Sequence, residues 1–335
     1  MSDIAQPAAG RHMVRASGSL WATYAEIAIL AVLVALFAFL NPSAFLTVTN
    51  LNTILNNAAI PAVIGVGATF VVLMGRIDLS VEGVMGAAGM AFVLMSANSR
   101  GTTDYGMLAY PAAILLGGVL GAVTGLIHTQ LKVPSFIVSL GMWYVGLGIA
   151  NQLFGLDMIP FLSNEAAVAW PTQTPLGIPN SFVLALVVTA LAFFVQSFTK
   201  LGRFPFAIGN NEHIAQVNGV PVARYTIYIF ALAGLCSGLA GVMGSLALGA
   251  GAANVGTGSL FLTLAAIVIG GTPLSGGKGG VLRTLIGVLI LSTLYNGLIL
   301  AGVDPSVQSG VSGFLLIPAV VAAGWSHRER LRIVK

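Results

Sequence analysis

An all-α membrane bundle of about ten transmembrane helices is the fold this sequence predicts, and three observations predict it. The chain is 57% hydrophobic and only 7% charged, against about 25% charged in a soluble domain, and its mean hydropathy is +0.95. Apolar stretches close to the roughly 20 residues that cross a bilayer recur along its length. Basic residues gather on alternate connections between those stretches.

The stretches fall at about 23–40, 52–74, 79–97, 107–129, 134–154, 180–198, 225–249, 259–275, 281–302 and 309–325. The first is too long for the apolar core of a signal peptide. The turn Asn41-Pro42-Ser43 follows it in place of a small-residue cleavage site, so it is read as a retained helix. An N-terminus placed in the cytoplasm, with strict alternation, puts Arg11, Arg15, Arg76, Lys132, Lys200, Arg203, Arg224, Lys278, Arg283, Arg328, Arg330, Arg332 and Lys335 inside. Only Arg100 then lies outside, with Asp104, Asp157, Glu165 and Asp304. This bias predicts that both the N- and C-termini are cytoplasmic. The expected organisation is a cytoplasmic tail over 1–22, one membrane domain over 23–325 with a cytoplasmic loop at 199–224, and a second tail over 326–335.

Two connections are long. The outer one, about 155–180, carries four prolines and Trp170 and reads as an ordered or half-ordered cap over a cavity mouth. Glycines recur at close spacing inside two stretches, Gly117, Gly121 and Gly125 in one and Gly234, Gly238 and Gly241 in another. Small residues so placed let helices approach closely in lipid, within the chain or between subunits.

Several functions are excluded. Cys236, the single cysteine, allows no intramolecular disulfide and reads as a buried, inert thiol. The net charge of +4 is dispersed and lacks an aromatic platform, so nucleic acid is not a partner. No helical zinc motif, Cys/His cluster or nucleophile elbow occurs, so no catalytic or metal site is expected. Gly276-Gly277-Lys278-Gly279 imitates a phosphate loop, but Thr272 stands where its first glycine belongs and Gly279 where its Ser/Thr belongs. This motif therefore does not bind ATP. A secondary transporter places ionisable groups deep in its helices. Here Glu26 starts the first stretch, where it can snorkel, and Asp78 is the serious candidate for such a coupling carboxylate.

The loop at 199–224 reads as a short projecting helix flanked by turns. Asn210 and Asn211 can cap it, and Glu212 suits its first turn. Ile214 and Val217 share a face, and Gly219 and Pro221 stop it. On these grounds a docking helix and a plain connector stay equally open.

The same residues resemble the coupling loop of the bacterial binding-protein-dependent sugar permeases of ABC transporters, the ribose-permease-like family. The matching positions are Thr199, Gly202, Arg203, Ala207, Gly209, Asn211, Ala215, Gly219 and Val220. The family's Gly-Ile-Asp-Leu-Ser-Val string resembles the segment Gly75, Arg76, Ile77, Asp78, Leu79, Ser80, Val81. Residues 133–141, 269–279, 285–287 and 296–297 resemble further family strings, in the family's order. The resemblance implies the permease subunit of an ATP-driven importer of a small sugar or polyol in the bacterial inner membrane. It binds no cofactor itself, ATP and magnesium being used by a partner ATP-binding subunit. Its other implied partners are a periplasmic or lipid-anchored sugar-binding protein, membrane lipid, and a second permease copy or paralogue. Gly202, Arg203, Gly209, Asn211, Glu212, Ala215 and Gly219 would form the ATPase-coupling loop, and Gly75, Asp78 and Ser80 the signature or gate. The alternatives are a same-family permease for branched-chain amino acids or nucleosides, and an ATP-independent secondary transporter.

The chain departs from that pattern at Arg76 and Glu82, at Thr124 and at Arg283. Arg76 and Glu82 stand beside Asp78, and a local network neutralising all three is the favoured reading; gating of the pathway is the other. A sugar path needs hydrogen-bonding groups and some aromatic surface. Candidates inside the predicted stretches are Asn56, Asn57, Thr69, Ser139, Trp143, Tyr144, Asn151, Gln152, Tyr295 and Asn296, each first read as an interhelical bond or interface anchor.

Overall fold

The computed structural model describes residues 19–156, 158–304 and 310, with side-chain surroundings from Ala25 onward. Its helices are α1 (Ser19–Leu40), α2 (Pro42–Phe45), α3 (Val48–Leu73), α4 (Val81–Met95), α5 (Ala109–Leu131), α6 (Ser135–Phe154), α7 (Glu165–Ala169), α8 (Asn180–Phe198), α9 (Lys200–Asn210), α10 (Glu212–Val217), α11 (Val222–Leu248), α12 (Ser259–Ile269) and α13 (Val281–Leu300). Isolated β-bridges, and no strand elements, accompany them among the described residues.

The expected ten spans are corrected. Among the described residues six helices are long and apolar enough to cross a bilayer: α3, α5 with its leading 3-10 turn, α6, α8, α11 and α13. Two further predicted stretches, α4 and α12, are shorter apolar helices, and of the first, α1, the part with described side chains is the apolar Ala25–Leu40. At 1.5 Å per residue α4 covers about 22 Å and α12 about 16 Å, less than the ~30 Å of hydrocarbon. At α4 and α12 hydropathy overcounts because the non-helical segments beside these helices are themselves apolar or glycine-rich. The tenth stretch, 309–325, lies outside the described residues except for Gly310, as do Arg11, Arg15, Asp157, Arg328, Arg330, Arg332 and Lys335.

The two longest spans form the centre. Of their apolar windows, α3 buries 72% and α11 67%, against 22% for α6 and 28% for α8. α3 and α11 pack on each other, α5 lies on α11, and α13 lies on α3. α4 packs beside α5, and α12 beside α13. The runs α3–α4–α5 and α11–α12–α13 thus repeat one motif, a long helix, a break, a short helix and a long helix, in opposite senses across the bundle. The glycine pattern packs within the chain: Gly117 and Gly121 lie backbone to backbone with Gly234 and Gly238, leaving no room for a Cβ. Gly241 instead faces Met85 and Gly89 on α4.

The connections sort the charges to two ends. At one stand Arg76, Lys132, Lys200, Arg203, Arg224, Lys278 and Arg283; at the other, Arg100 with Asp104, Glu165 and Asp304.

Candidate functional site

At the basic end, Thr199 closes α8, and its Oγ1 accepts from Gly202 N at 3.3 Å to open α9. The sequence reading expected turns here. Gly202 packs on the backbone of Val195 and Gln196, and Gly209 rests against the Leu73 carbonyl and the Gly277 amide with no space for a side chain. Gly277 N itself donates to Leu73 O at 2.9 Å, and Asn210 Nδ2 donates to Gly277 O at 3.3 Å. α9 is therefore clamped to the end of α3 and to the glycine-rich loop before α13. The Arg203 side chain points outward and donates to Ser197 O at 3.0 Å.

α10 follows as expected. Asn211 Oδ1 accepts from Ile214 N at 3.0 Å, and the helix gives way to Gly219 at φ +82°. Ala215 is buried toward the bundle, while Ile214 and Val217 are 57% and 75% exposed. The apolar face of α10 has no cover among the described residues.

Between α3 and α4, residues 76–80 leave the helical pattern after Gly75, which turns at φ +69°. Backbone groups freed at membrane depth must find partners inside the protein. Ile77 N donates to Ser135 Oγ at 3.2 Å and Leu79 N to Ser139 Oγ at 2.9 Å, so two serines one turn apart on α6 replace the missing helical acceptors. The buried Asp78 accepts from Ser80 N at 2.9 Å and Ser80 Oγ at 2.6 Å. Gly83 then meets Trp143 and Gly146, eight and eleven residues into α6. That is about 12–17 Å along a ~30 Å core, so α4 begins near mid-depth.

α12 begins at the same level. Glu82, buried in the first turn of α4, accepts from Gly258 N at 3.0 Å and Leu260 N at 3.1 Å, the opening amides of α12. One carboxylate therefore sits at two helix N-termini, where the dipoles favour negative charge.

The expected Arg76–Asp78–Glu82 network does not form. Each of the three side chains has a different partner. Asp78 turns to Ser80 and Glu82 to α12. Arg76 reaches out of the break to Glu212 on α10 at 3.3 Å, and its Nε donates to His128 Nε2 at 2.8 Å. Burial holds the Arg76 guanidinium below its ordinary range, and Glu212 pulls it back up. Glu26 does not snorkel either: it is buried and pairs with Arg283 at 3.5 Å.

At the opposite end, Arg100 donates to the carbonyls of Leu153, Phe154 (2.5 Å) and Met158, capping α6. Bridges Asn98–Leu162 and Phe161–Ala250 order the outer connection, as the sequence led us to expect of that cap. It borders a cleft of ≈ 430 Å³ lined in part by Asn151, Phe154, Phe161 and Asn254. The other path candidates are dispersed. Asn56 accepts from Ser181 Oγ at 2.6 Å, Asn57 is exposed, and Ser139 serves the break. Trp143 stacks on Tyr144, and its Nε1 has no hydrogen-bond partner among the described residues; nor has Oδ1 of the buried Asn296, next to the half-buried Tyr295. Sequence reasoning missed His128, Gln196, whose Oε1 accepts from Val281 N at 2.9 Å, and Thr272, whose Oγ1 accepts from Gly280 N at 3.2 Å. The bonds of His128 and Gln196 cross 52 and 85 residues, and no local pattern marks them; that of Thr272 spans 8 residues, from the 269–279 string to the residue after it.

The family model described as branched-chain amino acid transport system / permease component matches residues 50–320. The D-allose transport system permease protein of Escherichia coli (strain K12) is 34% identical over 90% of this chain and 91% of its own length. The ribose import permease protein of the same strain is 35% identical over 87% of this chain and 90% of its own. That of Bacillus subtilis (strain 168) is 36% identical over 87% and 89%. No solved structure matches the chain.

Proposed function

The chain belongs to the family described as branched-chain amino acid transport system / permease component, and from that premise we propose that it is the membrane permease subunit of an ATP-binding-cassette importer for a small sugar or polyol. The observation that carries the sugar assignment is the match, along about nine-tenths of both chains, to permeases for D-allose and ribose. The family description names a second substrate class, branched-chain amino acids, which is kept as the alternative.

The geometry supports the division of labour. The end that bears seven basic residues faces the cytoplasm by the positive-inside rule. It presents α10, with Ile214 and Val217 open to a groove on an ATP-binding subunit. That subunit supplies the hydrolysis. The acidic end, with its Asn151 cleft, receives sugar from a binding protein outside the bacterial inner membrane. Gly202, Gly209 and Asn211 hold the docking helix in place, and Gly75, Asp78 and Ser80 shape the mid-depth break. The exposed apolar side of α6, including Phe136, Ile137, Leu140, Tyr144 and Val145, faces lipid or a second permease copy.

The test is release of sugar from inverted vesicles that carry the chain with its ATP-binding subunit and enclose the binding protein with labelled D-ribose or D-allose. Loss of label from the lumen that requires ATP on the outer, α10 side is expected. Movement of leucine in place of the sugars would shift the assignment to the amino-acid class, and sugar movement indifferent to ATP would contradict the ATP-driven reading.

A further inference from the structure

We propose that Arg76 is a positioning residue of the transport cycle, passing displacement of α10 to the mid-depth break through its pair with Glu212. The inference rests on the importer reading above.

The Arg76 side chain is 11% exposed, its partner's 49%. A guanidinium only donates, so His128 Nε2 must accept from it, and the proton of that ring sits on Nδ1, 2.6 Å from Val133 O. Arg76 therefore rests on a neutral ring. Asp78 is engaged by Ser80 and Glu82 by α12, which leaves Glu212 as the carboxylate that pairs with Arg76 among the described residues. The pair is asymmetric. If α10 moves away, the half-exposed carboxylate regains water, but the buried guanidinium loses its counter-charge, and an unpaired buried charge is costly. Movement of α10 thus either drags Arg76 or strands it.

What Arg76 is attached to gives that asymmetry a use. It begins the segment that Ser135 and Ser139 hold against α6. The segment leads through Asp78 into α4, whose Glu82 holds the start of α12. One covalent stretch of seven residues, Arg76 to Glu82, therefore joins the docking helix to both half-helices.

The experiment is charge reversal in the full complex, reading sugar uptake and ATP hydrolysis together, with whichever of labelled D-ribose or D-allose the unmodified complex carries. Arg76→Glu and Glu212→Arg are each expected to lower sugar moved per ATP by roughly tenfold, and the double reversal to restore most of it, as coupled neighbours do. A double variant no better than the worse single would overturn the proposal, as would singles that lower uptake and hydrolysis in parallel. Should a reversal fail to assemble, Arg76→Met and Glu212→Gln remove the charges at similar size. Their double variant must then lose no more than the worse single; additive losses overturn the proposal. An unmodified complex without ATP-driven uptake would overturn the importer reading and this inference with it, whereas an unmodified complex that transports while reversal fails to rescue overturns this inference alone.

Discussion

Of the two breaks in the bundle, the one before α4 is held by side chains and the one before α12 largely by main chain. Ser135, Ser139 and Asp78 satisfy the first. In the second, Gly251 N donates to Pro160 O at 2.9 Å, Val255 N to Ala252 O at 3.3 Å and Thr257 N to Asn254 O at 3.0 Å. The first runs toward α10, the second toward the outer connection. They meet at Glu82. The difference teaches that equivalent positions in an inverted repeat can be editable in one half and tolerant in the other, and that the editable half is the one tied to α10 and the basic end.

Six substitutions test this contrast. The largest effect belongs to Gly83→Leu, because any Cβ there meets the Trp143 backbone, which cannot swing away. Overpacking costs about 1–3 kcal/mol even where neighbours relax, so loss of folded protein on size-exclusion in detergent is expected. Gly141→Leu on α6, with open space around it, should elute normally. Next comes Glu82→Ala, which strands the buried Leu260 amide and releases the part-buried one of Gly258, and should lower stability by about 1–3 kcal/mol in thermal melts. An unchanged melt would remove Glu82 as the junction of the half-helices. Ser139→Ala orphans Leu79 N and should cost about 1 kcal/mol, more than Ser135→Ala, since Ser139 is the more buried. Smallest is Asn254→Ala in the second break, expected within about 0.5 kcal/mol of the parent. A loss equal to that of Ser139→Ala would erase the contrast.

Much of the α10 region was legible in the sequence because it is local. The Asn211 cap, the Glu212 first turn and the Gly219 stop all lie within nine residues, and α10 formed on them. The glycine stripes were legible as close packing for the same reason. α9 was not, since Gly202, Pro205 and Gly209 each read as breakers; packing against α8 and α3 outweighs those propensities. The half-helices were hidden because apolarity continues past the ends of helix. The charge pairs were hidden by distance along the chain: Arg76 and Glu212 are 136 residues apart, and the bonds of Glu82 cross 176 and 178. Nearness in sequence pointed to Asp78 instead, but Arg76 pairs with Glu212 and Glu82 accepts from the opening amides of α12.

The central claim, that α10 docks on an ATP-binding subunit, is tested most directly by site-directed photo-crosslinking. Cys236 is buried, so a new surface cysteine is the reactive one. A benzophenone maleimide placed at Val217→Cys on α10, or at Leu176→Cys at the opposite end as control, is irradiated in membranes that co-express the ATP-binding subunit. Both positions are 75% exposed. The account predicts a permease–ATPase adduct from Val217→Cys and none from Leu176→Cys. An adduct from Leu176→Cys, or none from Val217→Cys in membranes where ATP-driven uptake is measurable, would contradict it.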